Sequence, residues 1–188
     1  EMGLLPANGI LLRGAGLYRK VEPFEERNGV KAAGIATQAL YLGAARYVGM
    51  KKVVKVEEDS EKIPTALKML KKYEFVFVHF KETDNAAHAG DPFRKKEEIE
   101  KVDSYLWILR DISDITVAIT GDHATPCELR THSGDLVPLL VWGAHVHPDN
   151  ISTFGESLAP KGEVGMIRAR DIVPILSNMA GRMKEIGK

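Results

Sequence analysis

The sequence predicts an α/β domain built on a mostly parallel sheet, and three observations carry that reading. Short apolar runs of strand length alternate along the chain with longer segments of helical period. The run at residues 75–80, FVFVHF, is apolar almost throughout, as a strand covered on both faces must be. Clusters of Asp and His follow directly on two of the runs, and functional groups in such sheets gather beyond the carboxyl ends of the strands.

Taken in order, residues 9–13 read as a short strand ended by the Gly14-Ala15-Gly16 turn, and residues 21–29, rich in Pro, Glu and Arg, as a linker. The compact run AAGIA after Lys31 reads as a buried strand. A helical pattern through Leu40, Ala44, Ala45 and Val48 follows and stops at Gly49. Residues 52–56 form a further strand, and residues 57–62 an acidic, solvated stretch. Pro64 sits where a first helical turn tolerates it, ahead of an apolar face of Leu67, Met69 and Leu70. The apolar run at 75–80 is expected at the centre of the sheet. Residues 93–110 give the clearest helix, with Ile99, Val102, Leu106 and Leu109 on one face. Residues 115–120 read as the next central strand. Residues 136–142 read as another, which Pro138 consigns to an edge or to irregular pairing. A loop-like region at 144–165 leads to a closing helix at 170–183, with Asp171 near its start, where a carboxylate favours the helix dipole.

Composition narrows the function. The chain has 188 residues, which suits one sizeable core, and its 26 basic and 26 acidic residues leave no net charge to recruit nucleic acid or a membrane surface. The expected partner is a small molecule. Cys127, the only cysteine, excludes an internal disulfide framework and suits a reducing cytoplasm. No apolar run approaches the ~20 residues of a membrane helix. Lys and Glu are abundant and Gln38 is the only glutamine, a pattern met in thermophile proteins. The chain starts at Glu1, not Met, as a piece of a longer polypeptide would.

The polar clusters carry the chemistry. Asp84 and His88 lie four apart directly after FVFVHF, a spacing that shares one face if the segment turns helically. Asp122 and His123 follow the strand at 115–120, and His132 returns from the loop beyond. Each piece alone has an ordinary explanation: Asp in a turn bonds backbone, and an Asp-x-x-x-His spacing is common. Three ligand-rich segments at successive strand ends are harder to explain as independent turns. Mixed imidazole and carboxylate donors suit Mn, Co or Zn better than Mg, which prefers oxygen. His79, within FVFVHF, reads as a packed, hydrogen-bonded histidine. His145 and His147, beside Pro148, read as solvated, and Cys127 as a small buried hydrophobe.

The segments FVFVHFKETDNAAHAGD, ITGDHATPC and THSGDLVPLL resemble the metal-binding motifs of archaeal-type cofactor-independent (2,3-bisphosphoglycerate-independent) phosphoglycerate mutases of the alkaline phosphatase superfamily. NGILLRGAG, the KAAGIA…GAARYVGM unit and RARDIVPILSNM extend the resemblance over nearly the whole chain. It implies a three-layer, alkaline phosphatase-like sheet with helices on both faces, incomplete without an N-terminal segment. Residues 1–28 would be the end of an inserted substrate-binding domain and its linker, and residues 29–188 the C-terminal part of the metal-binding domain. Two divalent ions are implied, Mn first, with Co, Zn or Mg as alternatives. Asp84, His88 and His132 would form one site, and Asp122 and His123 part of the second. The remaining ligands, an Asp and the serine nucleophile, would lie outside this chain.

The implied reaction is interconversion of 3-phosphoglycerate and 2-phosphoglycerate through a phosphoserine enzyme, in glycolysis and gluconeogenesis. Arg13 and Lys81 are the candidate substrate contacts. The chain alone is expected to be inactive. Two alternatives stay open: a metal-dependent phosphatase or phosphodiesterase of the same superfamily, and a non-catalytic metal-binding fragment.

Overall fold

The first half of the chain is organised around one short, wholly buried strand. The computed structural model describes residues 9–12 and 14–182. In it, β1 (Ala32–Ala36) lies between β2 (Lys52–Lys55) and β3 (Phe75–Val78) in a three-stranded parallel sheet. Every residue of β1 is buried. Its small side chains are the reason a helix can lie so close: a Cβ on Gly34 would stand 2.8 Å from the Cβ of Ala45 in α2 (Ala39–Tyr47). Successive residues of a strand face opposite ways, so Ile35 points to the other side. There it packs with Val56 and with Ala66 of α3 (Lys62–Leu70), and Val54, Met69, Val76 and Val78 close the cluster. Helices therefore cover both faces of this sheet.

The second half carries an antiparallel pair, β4 (Thr116–Thr120) with β5 (Leu139–Gly143), registered from Thr116↔Gly143 to Thr120↔Leu139. Pro138 precedes β5 directly, and its carbonyl accepts a bond from Thr120 Oγ1 at 2.9 Å. Between the sheets run α4 (Glu82–Ala89) and α5 (Pro92–Leu106). Ala86 and Ala87 of α4 are fully buried. Asp91 caps α5 by accepting from the Arg94 amide at 2.9 Å, with Pro92 at the first helical position. Among the described residues no helix is long and apolar enough to cross a membrane.

Several expectations are corrected. Residues 9–12 form no strand, and Ile10 and Leu12 are largely exposed, with no neighbouring strand among the described residues to pair with. The supposed linker contains a short helix, α1 (Phe24–Asn28). It is anchored because the Phe24 ring stacks on Phe75 at 5.1 Å and the Phe24 amide bonds the Val48 carbonyl at 2.8 Å. β3 lies at the edge of its sheet, not at the centre, and Phe77 is partly exposed, because β1 takes the central place. β4 is not a central parallel strand, since its described ladder is the antiparallel one with β5. Lys62 is buried, not solvated. Its ammonium lies 2.5 Å from Asp59 Oδ1 without an aligned hydrogen bond, and 4.6 Å from the centre of the Phe80 ring. The helix at 93–110 ends at Leu106 and continues as a 3-10 turn, Trp107–Asp111. The closing helix α6 is Ile172–Met179, entered through a 3-10 turn whose Asp171 accepts from the Arg168 amide.

The contact at Gly34 can be tested. Gly34→Ala forces α2 away from β1, and overpacking of this kind costs typically ~1–3 kcal/mol. Chemical denaturation should show that loss, and an unchanged midpoint would mean that α2 does not lie against β1 as described.

Candidate metal centre

Asp84 and His88 reach the same face because the segment after β3 does turn helically, as α4, and residues four apart stack along a helix. The helix stops at Gly90, whose φ of +74° a side chain rarely adopts. A Cβ at Gly90 would also stand only 3.0 Å from Arg130 Cζ, so the glycine lets the Arg130 side chain pass. Arg130 itself has φ 53°, unusual for a non-glycine residue. Its carbonyl lies 2.8 Å from His88 Nδ1. A carbonyl only accepts, so Nδ1 carries the proton and Nε2 presents a lone pair.

The loop after β4 folds back through a single antiparallel bridge, Ala124↔Ser133, with the Ser133 amide on the Ala124 carbonyl at 3.0 Å. His123 and His132 lie diagonally across that bridge, on the face opposite Ala124 and Ser133, and their rings stack at 3.6 Å. His132 thereby comes to α4. Its Nε2 lies 3.3 Å from His88 Nε2 and 4.0 Å from Asp84 Oδ1, and His88 Nε2 lies 3.5 Å from Asp84 Oδ2. The ligand atoms of Asp84, His88 and His132 all fall within 4.8 Å of one another.

These separations fit a cation. Two donors each ~2.1 Å from one ion lie ~3.4 Å apart in a tetrahedral shell and at most ~4.2 Å apart. One carboxylate and two imidazoles form the mixed donor set that Mn, Co and Zn accept. Both histidines are substantially exposed, whereas Asp84 is mostly buried, so the cluster opens on its imidazole side.

Asp122 and His123 sit beside this cluster without completing a second one. His123 Nε2 is 3.5 Å from Asp122 Oδ2, and among the described residues no third Asp, Glu, His or Cys joins them at ligand spacing. Asp122 Oδ1 also accepts from the His123 amide at 3.1 Å, the turn contact that Asp makes in many loops.

Asp84 is engaged at both carboxylate oxygens. Lys81 places its ammonium on Oδ2, and Thr125 Oγ1 donates to Oδ1 at 2.8 Å. Burial alone would push the Asp84 carboxyl up, but the bonds from Lys81 and Thr125 outweigh it and hold the group below its ordinary range. Burial likewise pulls Lys81 down, and its bonds to Asp84 and Tyr41 reverse that into a net rise. Lys81 thus contacts a candidate ligand directly. Arg13 lies outside the described residues. His145 and His147 are exposed, and Cys127 is half-buried.

Thr125, Lys62 and the Arg130 carbonyl escape the sequence reading. Thr125 stands only two residues beyond His123, a signal that was present in GDHAT. Nothing in a sequence announces a left-handed arginine or a buried lysine.

A model of the metalloenzyme superfamily matches residues 2–179. The chain belongs to that superfamily. It is 41% identical to the 2,3-bisphosphoglycerate-independent phosphoglycerate mutase of Thermococcus kodakarensis, over 98% of this chain and 48% of that protein. It is 43% identical to the protein of the same name from Pyrococcus horikoshii, over 96% of this chain and 47% of the relative. The chain spans about half the length of these curated relatives. A solved protein of Pyrococcus horikoshii superposes with a TM-score of 0.87 at 42% identity, covering 94% of this chain and 57% of the other. The cofactor-independent phosphoglycerate mutase of Thermoplasma acidophilum shares the fold, with a TM-score of 0.66 at 23% identity over 85% of this chain and 38% of that one.

His79 lies near the polar site, within reach of the Asp122 and Lys81 charges. It follows β3, and its ring stacks on Tyr41 at 3.3 Å. Burial lowers its pKa from 6.5 to about 4. The Asp122 charge opposes the shift, and the Lys62 and Lys81 charges add to it. A histidine with a lowered folded pKa binds more protons unfolded, so its contribution is intact above pH 6.5 and is lost as pH falls toward about 4. An NMR titration should find the His79 ring neutral down to that range. A midpoint near 6.5 would show that the ring is solvated and the stack absent.

Proposed function

We propose that the intact protein interconverts 3-phosphoglycerate and 2-phosphoglycerate by two-metal phosphoryl transfer through a phosphoserine. The observation that carries the reading is the convergence of Asp84, His88 and His132 beside Asp122 and His123 at the carboxyl ends of β3 and β4. The name borne by relatives above 40% identity supports it. In this reading Asp84, His88 and His132 hold one ion that their donors let be Mn, Co or Zn, and the family resemblance puts Mn first. Asp122 and His123 supply part of a second site, which an Asp and the serine nucleophile outside this chain complete. Bound divalent ions supply the positive charge that activates a nucleophile and stabilises phosphoryl oxygens.

The chain's own residues set the stage for that chemistry. The Arg130 carbonyl keeps the His88 lone pair on Nε2, and Lys81 both fixes Asp84 and adds positive charge for an anionic substrate. Arg13 is proposed as a phosphate contact. Residues 1–28 then belong to the end of a substrate-binding insertion, and residues 29–188 to the metal-binding domain. The work of such an enzyme is cytoplasmic, and this chain alone turns nothing over.

The full-length protein should retain about two divalent ions per chain after dialysis, the number a two-metal site requires, and lose both to a chelator. Coupled to enolase, it should convert 3-phosphoglycerate with metal-dependent turnover. His88→Ala and His132→Ala should each cost orders of magnitude in rate, whereas His145→Ala and His147→Ala leave it near the parent. Release of inorganic phosphate without 2-phosphoglycerate would replace the mutase by a phosphatase, and full activity without metal would end the two-metal reading.

A further inference from the structure

Thr125 is a buried hydroxyl placed between the two sets of candidate ligands. Its Oγ1 donates to Asp84 Oδ1 at 2.8 Å and lies 3.0 Å from His123 Nδ1. A hydroxyl has one proton to give. The Asp84 carboxylate can only accept, so that proton goes to Asp84, and the remaining partner must donate to the hydroxyl oxygen. His123 Nδ1 therefore carries its proton, and the His123 lone pair is left on Nε2. The relay runs from His123 Nδ1–H to the Thr125 oxygen, and from the Thr125 hydroxyl to Asp84.

Two further contacts hold Thr125 in place. Its carbonyl accepts from Lys95 Nζ of α5 at 2.9 Å, and the Ala124↔Ser133 bridge fixes the residue before it. Thr125 is only 5% exposed, so water does not compete readily for the hydroxyl.

We infer that Thr125 is a positioning residue that fixes the tautomer of His123 and locks it to Asp84, so that the two halves of the metal centre are aligned through one hydroxyl. The inference rests on the metal-binding reading above and adds a residue to it. Partners that orient a ligating histidine are usually carboxylates, backbone carbonyls or water, and their loss typically costs ~10–100-fold in metal affinity. Here the partner is a hydroxyl whose own acceptor is a candidate ligand of the neighbouring ion, so one substitution should be felt on both sides.

The experiment compares Thr125→Val, which keeps the shape and removes the hydroxyl, with Thr125→Ser, which keeps the hydroxyl, in the full-length protein. In metal-free protein, 15N chemical shifts of the His123 ring should show the proton on Nδ1 in the parent and in Thr125→Ser, and lose that preference in Thr125→Val. Titration with Mn against a competing chelator should show Thr125→Val weaker by ~10-fold or more, with Thr125→Ser near the parent. Parent-like affinity and parent-like tautomer in Thr125→Val would overturn the inference. If Thr125→Val does not fold, a proton on Nε2 of His123 in the parent overturns it, and a proton on Nδ1 with parent-like Mn affinity in Thr125→Ser upholds it. Should the parent bind no Mn, the metal reading fails by itself, while the ring shifts still decide the relay.

Discussion

The site depends on how one carboxylate is held. Asp84 is mostly buried, and a buried carboxylate is costly unless it is paired and hydrogen-bonded. Lys81 answers one oxygen from within the same turn of chain, and Thr125 answers the other from forty-one residues away in sequence. The second bond is the consequential one, because it joins α4 to the loop after β4. With that junction made, the Ala124↔Ser133 bridge brings His132 to His88, and the Arg130 carbonyl turns the His88 ring. Removing the carboxylate would leave Lys81 and Thr125 without their acceptor as well as removing a ligand.

The fold positions this junction by packing that has little tolerance. β1 is buried on both faces and is made of Ala, Gly and Ile, which brings α2 close on one side and leaves room for the Ile35, Val56 and Ala66 cluster on the other. β3 aligns with β1, and its end delivers His79 and then α4. β4 belongs to a different, antiparallel pair, yet its end delivers Asp122 and His123 to the same place. The candidate site thus sits where the ends of two separate sheets converge, the general location of functional groups in α/β proteins.

Much of this was legible in residue order. Apolar periodicity locates β1, α2, β2, α3 and β3 closely, because local pattern and burial agree in those segments. The Asp84–His88 spacing makes sense once α4 is helical, whereas the strand expected at 136–142 begins only after Pro138, at Leu139. What periodicity could not supply was pairing. FVFVHF is apolar enough for a central strand, but its place at the edge is decided by which strands lie beside it. The burial of Lys62 depends on Asp59 and on Phe80, which arrives from eighteen residues further on. Thr125 is likewise unremarkable in sequence, since its role arises from two partners that only tertiary structure brings within reach.

The central claim is that Asp84, His88 and His132 jointly hold a divalent cation. Anomalous X-ray diffraction from crystals of the full-length protein grown with Mn tests it most directly. The account predicts an anomalous peak ~2.0–2.3 Å from an Asp84 carboxylate oxygen and from Nε2 of both His88 and His132. A fully occupied Mn peak elsewhere, with those three side chains free of it, would contradict the account.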